Sequence, residues 1–269
     1  MILCRMLWPS GAAAQTPSPL AEWQYSAGQP LQPYFLDEVP LWQYQLGGGI
    51  NVAPRYEGSS VSRLLPSANA ELRFKDLAFA SLAEGLGVNL WSGKGHRAGV
   101  ALTYDVGRRE RADGNLRGLG NVDPAPELKL FVEYLPVFPL VLRADARRAF
   151  GGHGGATADF SAYMPVVGSR IFVLMLGPSV TWSDRRALQR SFGVSPAQSA
   201  QSAYPVFAAH GGLHSISLGL SATRFMSENR EWFLNISGAA QKLLGAVADS
   251  PITRDDRQYA LSLMFGRQW

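Results

Sequence analysis

The residues of this chain that could do covalent or metal chemistry are four histidines, one cysteine and a large stock of serines. His210 and His214 stand four apart, the spacing that puts two metal ligands on one face of a helix. On a strand the same spacing shares a face but separates the side chains by about 13 Å, at roughly 3.3 Å per residue. That is too far for one ion, and Gly211-Gly212 between them reads as a loop or bulge. His153 lies within Gly151-Gly152-His153-Gly154-Gly155 and reads as a neutral surface histidine at a loop tip, where glycine permits tight backbone geometry. Serines near His214, and Asp159 after His153, leave open a Ser/His/acid triad. The G-x-S-x-G elbow that would present a nucleophile is missing. Gly47-Gly48-Gly49 and Gly85-Leu86-Gly87 lack the Lys-Ser/Thr and the helix of a phosphate loop. Cys4 has only three residues before it, too few for the leader of a lipid-anchored cysteine, and one cysteine forms no internal disulfide. No catalytic residue, metal site or cofactor is assigned, and the expectation is a protein that is not an enzyme.

The elements that would hold such residues are strands, because polar and apolar residues alternate with period two. At the C-terminus Tyr259, Leu261, Leu263, Phe265 and Trp269 share one face, broken by Arg267. Gln258, Ala260, Ser262, Gly266 and Gln268 share the other, with Met264 the exception. The same pattern recurs in Leu128, Leu130, Val132 and Tyr134 against Glu127, Lys129, Phe131 and Glu133. It recurs again in Ile216, Leu218 and Leu220 against Ser215, Ser217 and Gly219. A soluble sandwich also alternates. These segments, however, approach the roughly 9–11 residues that cross a bilayer. Their polar faces are rich in Gly and Ser. Trp42, Tyr44, Trp182, Trp232 and Trp269 sit near strand ends on the apolar face, as a membrane-interface girdle would.

Composition agrees. Mean hydropathy is −0.03, but lipid-facing and lumen-facing residues cancel in any average over a barrel. A spanning helix is not expected, because uncharged runs such as 171–183 are interrupted, here by Gly177 and Pro178. The net charge is +4, and of the 25 basic residues only Lys75, Lys94, Lys129 and Lys242 are lysine. The arginines are scattered rather than gathered on one face, which argues against nucleic acid as a partner. They suit the phosphates of outer-membrane lipids, lipopolysaccharide included. Residues 1–14 read as a shortened secretory signal ending after Ala12-Ala13-Ala14, and 15–40 as a periplasmic tail.

Residues 41–269 therefore read as an all-β fold, a closed antiparallel transmembrane barrel with both termini periplasmic. Twelve strands are expected near 41–53, 63–74, 77–83, 85–91, 97–109, 126–135, 139–150, 156–166, 170–182, 213–226, 231–243 and 257–269. An even count puts the long connections 110–125 and 183–212 on one side and the short turns on the other. A three-residue turn at Pro136-Val137-Phe138 would set Glu127 opposite Arg147 and Lys129 opposite Asp145, with Arg143 also inward. Opposite charges across strands favour that register. Mixed charge inside predicts a narrow, salt-bridged lumen rather than an open pore.

Several short motifs in order resemble the MipA/OmpV family of outer-membrane proteins. They are Pro54-Arg55-Tyr56-Glu57-Gly58-Ser59, Leu116-Arg117-Gly118-Leu119 and then Pro126-Glu127, Gly151 to Gly155, and Gly177-Pro178-Ser179-Val180-Thr181-Trp182-Ser183-Asp184. Phe192-Gly193-Val194-Ser195 with Gln198-Ser199-Ala200, and Leu243-Leu244-Gly245 leading into Asp249-Ser250-Pro251-Ile252, complete the set. Ser191 stands where the family usually has Tyr, and Trp269 stands where barrels often end on Phe. Tyr259, Phe265 and Trp269 still resemble the C-terminal signal read by barrel-assembly machinery. The resemblance implies a scaffold joining a lytic transglycosylase to a penicillin-binding protein. A surface adhesin or ligand-binding protein working through the long loops is the alternative, and a narrow channel for small solutes a third.

Overall fold

The structure is a computed structural model that describes residues 39–226 and 228–269. The expected signal over 1–14, and all but the last two residues of the expected tail over 15–40, lie outside the described residues.

Twelve strands form: β1 (Trp42–Pro54), β2 (Ser62–Phe74), β3 (Ala78–Ser81), β4 (Gly85–Gly93), β5 (His96–Asp105), β6 (Ala125–Val137), β7 (Leu140–Ala149), β8 (Ala156–Gly168), β9 (Phe172–Ser183), β10 (Gly212–Phe225), β11 (Trp232–Leu243) and β12 (Arg257–Gln268). Each pairs antiparallel with its neighbour, and β12 closes on β1 from Gln45 opposite Gln268 to Val52 opposite Leu261. The region 77–91 is thus two strands.

The alternation decides the faces. Leu46, Ile50, Leu128, Leu130, Ile216, Leu218, Leu220, Leu261 and Leu263 point outward and are each at least 40% exposed. Such a belt runs around the whole wall, far beyond the few hundred Å² of apolar patch that a soluble monomer exposes. Only lipid accommodates it. Inward positions are buried and mostly polar. No described helix is long and apolar enough to cross a membrane.

The two ends differ. Both described ends of the chain and the tight turns gather at one end, hereafter the turn end. The connections 55–61, 82–84, 106–124, 150–155, 184–211 and 244–256 gather at the other, the loop end. The long connections are not plain loops. They contain helices α1 (Arg185–Phe192), α2 (Pro196–Gln201) and α3 (Gly245–Ala248), which the strand pattern did not foresee. Asp184 caps α1 by accepting from the Ala187 N–H, and Ser195 with Gln198 forms a capping box on α2, with Pro196 in its first turn.

The expected β6–β7 register is corrected. β6 runs on to Val137, which pairs with Leu140, so the turn is Phe138-Pro139, and a bulge lies between Tyr134 and Val137. The pairing moves two residues along β7, which keeps every side chain on its face but changes its partner. Glu127 lies opposite Ala149, Lys129 opposite Arg147 and Glu133 opposite Arg143.

Closure depends on a bare backbone at the seam. A Cβ on Gly49 would sit 1.9 Å from the Leu263 carbonyl oxygen, whereas one on the adjacent Gly48 meets nothing within 4 Å. Gly49→Val is therefore expected to cost upward of ~3 kcal/mol by overpacking. It should abolish most of the heat-modifiable folded band on a gel, while Gly48→Ala leaves that band intact.

Candidate functional site

The lumen is where this sequence concentrates its charge. From β2 round to β8, acids and arginines alternate in one connected series. Arg73 holds Glu71 in a short contact and reaches Glu84 at 2.8 Å. Arg97 touches Glu84 at 3.2 Å and grips both oxygens of Glu133 at 2.9 and 3.1 Å. Arg143 bonds Glu133 at 2.6 Å and lies 3.6 Å from Asp145. Arg147 lies 3.5 Å from Asp145 and closely holds Asp159, which accepts from the Thr181 hydroxyl at 2.6 Å. No side chain in these ion pairs is more than 4% exposed.

Arginine suits this role, since its planar fork serves two carboxylates at once. Glu84 enters from the β3–β4 turn because β3 is only four residues long. Against the series Phe79 and Phe131 meet edge to face at 5.8 Å, and the Arg97 guanidinium lies 5.6 and 5.0 Å from their centroids. Lys129 is fully buried with its ammonium 5.9 Å from the Phe131 ring. The inward residues of β10 to β12 are neutral instead, with Ser221, Thr223, Asn235, Ser237 and Ser262. Toward the turn end Val141, Tyr163 and Met175 pack together inside.

The structure therefore places Glu127, Lys129, Arg143, Asp145 and Arg147 inside, but not in the expected pairs. Glu127 meets His153, whose Nε2 lies 3.2 Å from it and 3.5 Å from Asp105. His153 is thus a nearly buried partner of two carboxylates rather than a surface residue. Glycines on both sides let the 150–155 loop fold that histidine back over the rim.

Above the lumen the connections pack into a cap with two apolar cores. One joins Tyr56, Leu116, Leu119, Val194, Tyr204 and Ile252, drawn from four connections. The other joins Leu188, Phe192, Ala209, Leu243, Ala246 and Val247. Several of the resemblance motifs fall here. Tyr56 donates to the Ile252 carbonyl at 3.0 Å, Ser250 to the Phe192 carbonyl at 2.6 Å, and Arg108 to the Ser191 carbonyl at 2.6 Å. Gly118 adopts φ +85°, and a Cβ there would lie 2.0 Å from the Gln201 carbonyl oxygen.

Under the cap three residues far apart in sequence meet. Ser183 Oγ lies 2.9 Å from His214 Nδ1, and His214 Nε2 lies 2.9 Å from Glu57 Oε1. Gln241 also donates to Glu57, at 3.2 Å, and Thr157 lies 3.2 Å from Ser183. The order hydroxyl, imidazole, carboxylate is that of a nucleophilic triad. The setting is different: Ser183 is 1% exposed and the Phe192 ring stands edge-on over His214 at 5.8 Å. The geometry is that of a latch tying the 55–61 connection to β9, β10 and β11. Among the described residues no cluster of three His, Cys, Asp or Glu is arranged around a metal.

The outward aromatics gather at the two ends. At the turn end Trp42, Tyr44 and Trp269 lie in sequence along the wall, with centroids 6.2 and 6.0 Å apart, and Trp232 stacks on Phe265 at 5.4 Å. Arg267 lies between Trp232 and Trp269, 5.3 Å from each, and bridges Glu231 at 3.1 Å. Trp182 and Tyr259 face outward near the loop end.

The family model described as MltA-interacting protein MipA matches residues 46–269, from β1 through the cap to the final residue. The chain belongs to the MipA family. It is an outer-membrane barrel of the Gram-negative type. No curated protein matches it. Among solved structures it is similar to the outer membrane protein OprD from Pseudomonas aeruginosa, with 10% identity and TM-score 0.37 over 84% of this chain. It spans 65% of that protein's length. It is also similar to an outer membrane channel from Pseudomonas putida F1 (11% identity, TM-score 0.44, 87% of this chain and 98% of that one). An anion-selective porin from Comamonas acidovorans is a third (8%, TM-score 0.39, 85% and 98%).

Two outcomes follow for this MipA-family barrel. Arg97→Met leaves the buried Glu84 and Glu133 short of a cation and should cost about 3–5 kcal/mol in urea unfolding from vesicles. The cap should be pH-dependent at both extremes. Burial raises the Glu57 carboxyl, but His214 outweighs that and holds it below the ordinary carboxylate range. Its contribution is present above about pH 4.3 and lost as pH falls through its lower folded value. Burial, with Asp113 and Tyr204 nearby, pushes the Tyr56 phenol up to about 12. That contribution is complete below about pH 10 and lost as pH rises through about 12. Limited proteolysis of the cap across pH should show a plateau with both losses. His214→Ala should remove the acid limb.

Proposed function

We propose that this barrel is a non-enzymatic scaffold that holds murein-remodelling enzymes at the outer membrane. The observation that carries the reading is that the lumen charges are spent on one another, which leaves the outer surfaces to do the work. Membership of a family described by interaction with MltA, a lytic transglycosylase, points to the partner, with a penicillin-binding protein as the second. We read the turn end as periplasmic, because barrels put their short turns there and their longer loops outside. Trp42, Tyr44, Trp232 and Trp269 then girdle the periplasmic interface and Trp182 the outer one. Tyr259, Phe265 and Trp269 present the assembly signal, and the enzymes dock at the turn end. The surrounding lipid, lipopolysaccharide included, contacts the apolar belt.

A second reading, binding of a surface ligand, draws on the cap. Its connections are rigidly packed, and a polar recess of about 780 Å³ lined by Arg109, Arg111 and Arg117 opens beside it.

Affinity capture with the folded barrel from solubilised envelopes decides between them. The scaffold reading expects a lytic transglycosylase and a bifunctional penicillin-binding protein, both lost when the turns are replaced and retained when the cap is trimmed. Repeated recovery of neither enzyme defeats it.

A further inference from the structure

One stretch of the lipid-facing wall is recessed. On β7 and β8 the outward residues toward the loop end are mostly alanine, with Ala146 opposite Ala158 and Ala144 opposite Phe160. Their neighbours on either side are large. Leu130 of β6 stands opposite Ala146, and Trp182 of β9 stands opposite Ala158. Leu130 and Trp182 are thus three strand spacings apart, roughly 14 Å. The result is a shallow apolar groove of about 610 Å³, floored by Ala144, Ala146 and Ala158 and walled by Leu130, Phe160 and Trp182. The strands beneath it pair without a break, so the groove arises from side-chain size alone.

The loop end of the groove is cationic. Arg148 is the next outward residue of β7, roughly 7 Å along the strand from Ala146, and it lies between Leu128 and Ala156. It shares the outer face with the alanines, since Arg143, Asp145 and Arg147 take the inner one. Its side chain is 49% exposed, and its one acidic partner among the described residues is Asp184, 3.5 Å away. The other oxygen of Asp184 caps α1. An exposed ion pair of that length contributes little, so Arg148 can turn to another anion at small cost. Beyond Asp184, α1 presents Arg185, Arg186 and Arg190 to solvent.

Groove and cation lie on one face and in a consistent order of depth. The alanine floor faces the bilayer, Trp182 flanks its upper part at the level where indoles mark the interface, and Arg148 stands just beyond. That is the polarity of a lipid in the leaflet on the loop side. An added strand is a poor occupant, because β6 to β9 offer no free edge there. A guanidinium above an acyl groove selects an anionic headgroup, and its fork binds phosphate oxygens in pairs.

We propose that the outer face of β7 and β8 is a specific lipid seat: it holds one acylated, phosphate-bearing lipid of the lipopolysaccharide type, with an acyl chain along the alanine groove and a phosphate on Arg148, backed by the exposed arginines of α1. The choice of lipid rests on the orientation proposed above, which makes that leaflet the outer one.

The test places a photo-reactive side chain at position 130 on the groove wall, or at position 50 on β1 across the barrel, in whole Gram-negative cells. Lipopolysaccharide should cross-link about tenfold more at 130 than at 50, the worth of one charge-assisted bond to phosphate. Arg148→Gln should bring the yield at 130 down to that at 50, and Ala158→Leu, which fills the groove, should lower it too. Both side chains lie outside the wall, so the heat-modifiable folded fraction should not change. Equal yields at 130 and 50 overturn the seat without any need for a variant to fold. So does cross-linking to phosphatidylglycerol in place of lipopolysaccharide, or a yield indifferent to both substitutions. Thiol labelling of Arg111→Cys on intact cells reads the orientation separately. A labelled loop with no preference for position 130 defeats the seat alone, and an unlabelled loop defeats the orientation and the choice of lipid with it.

Discussion

In hydrocarbon every backbone N–H and C=O must find its partner within the protein, and the rest of this structure follows from that demand. It forces the strands to close, so β12 must meet β1. Closure fixes an inside and an outside, and the period-two sequence then sorts leucine and isoleucine to lipid and charge to the lumen. It also makes the seam intolerant of side chains where Gly49 crosses Leu263.

Sorting charge inward creates a second problem. A carboxylate or guanidinium taken out of water is costly unless it is paired. The chain meets this by linking the charges in series, so that Arg73, Arg97, Arg143 and Arg147 each bridge two acids. The Phe79–Phe131 pair lies against the arginines. Such a series resists change at any one member, because removing a link strands its neighbours. The cap adds a second closure at the loop end, with apolar cores built from connections that carry no strand signal.

Much of this was legible in the sequence, for physical reasons. Face assignment needs only parity, so Leu128 and Leu130 against Glu127 and Lys129 read correctly, as did the twelve strands. Register needs turn geometry. The shorter turn at Phe138-Pro139, together with the bulge after Tyr134, moved the β6–β7 partners by two residues, which parity cannot detect. Helices α1 and α2 were within reach, since Asp184 and the Ser195-Pro196-Ala197-Gln198 box are N-terminal signals. A strand-period reading passed over them. Ser183, His214 and Glu57 were out of reach. Glu57 and His214 are 157 residues apart, and only the closed barrel brings them together. His153 was misjudged because glycine neighbours imply a loop but not which way the loop folds. The short reach of β3 left no trace in alternation.

The central claim is that the interior is occupied by mutually paired charge beneath a packed cap, so that the barrel works through its surfaces rather than its bore. Single-channel recording of the purified full-length chain in planar bilayers tests this most directly. The account predicts no large, steady conductance step at neutral pH, with ion flow appearing only in variants such as Arg97→Met combined with removal of the cap. A large and stable open channel in the unaltered protein would contradict it.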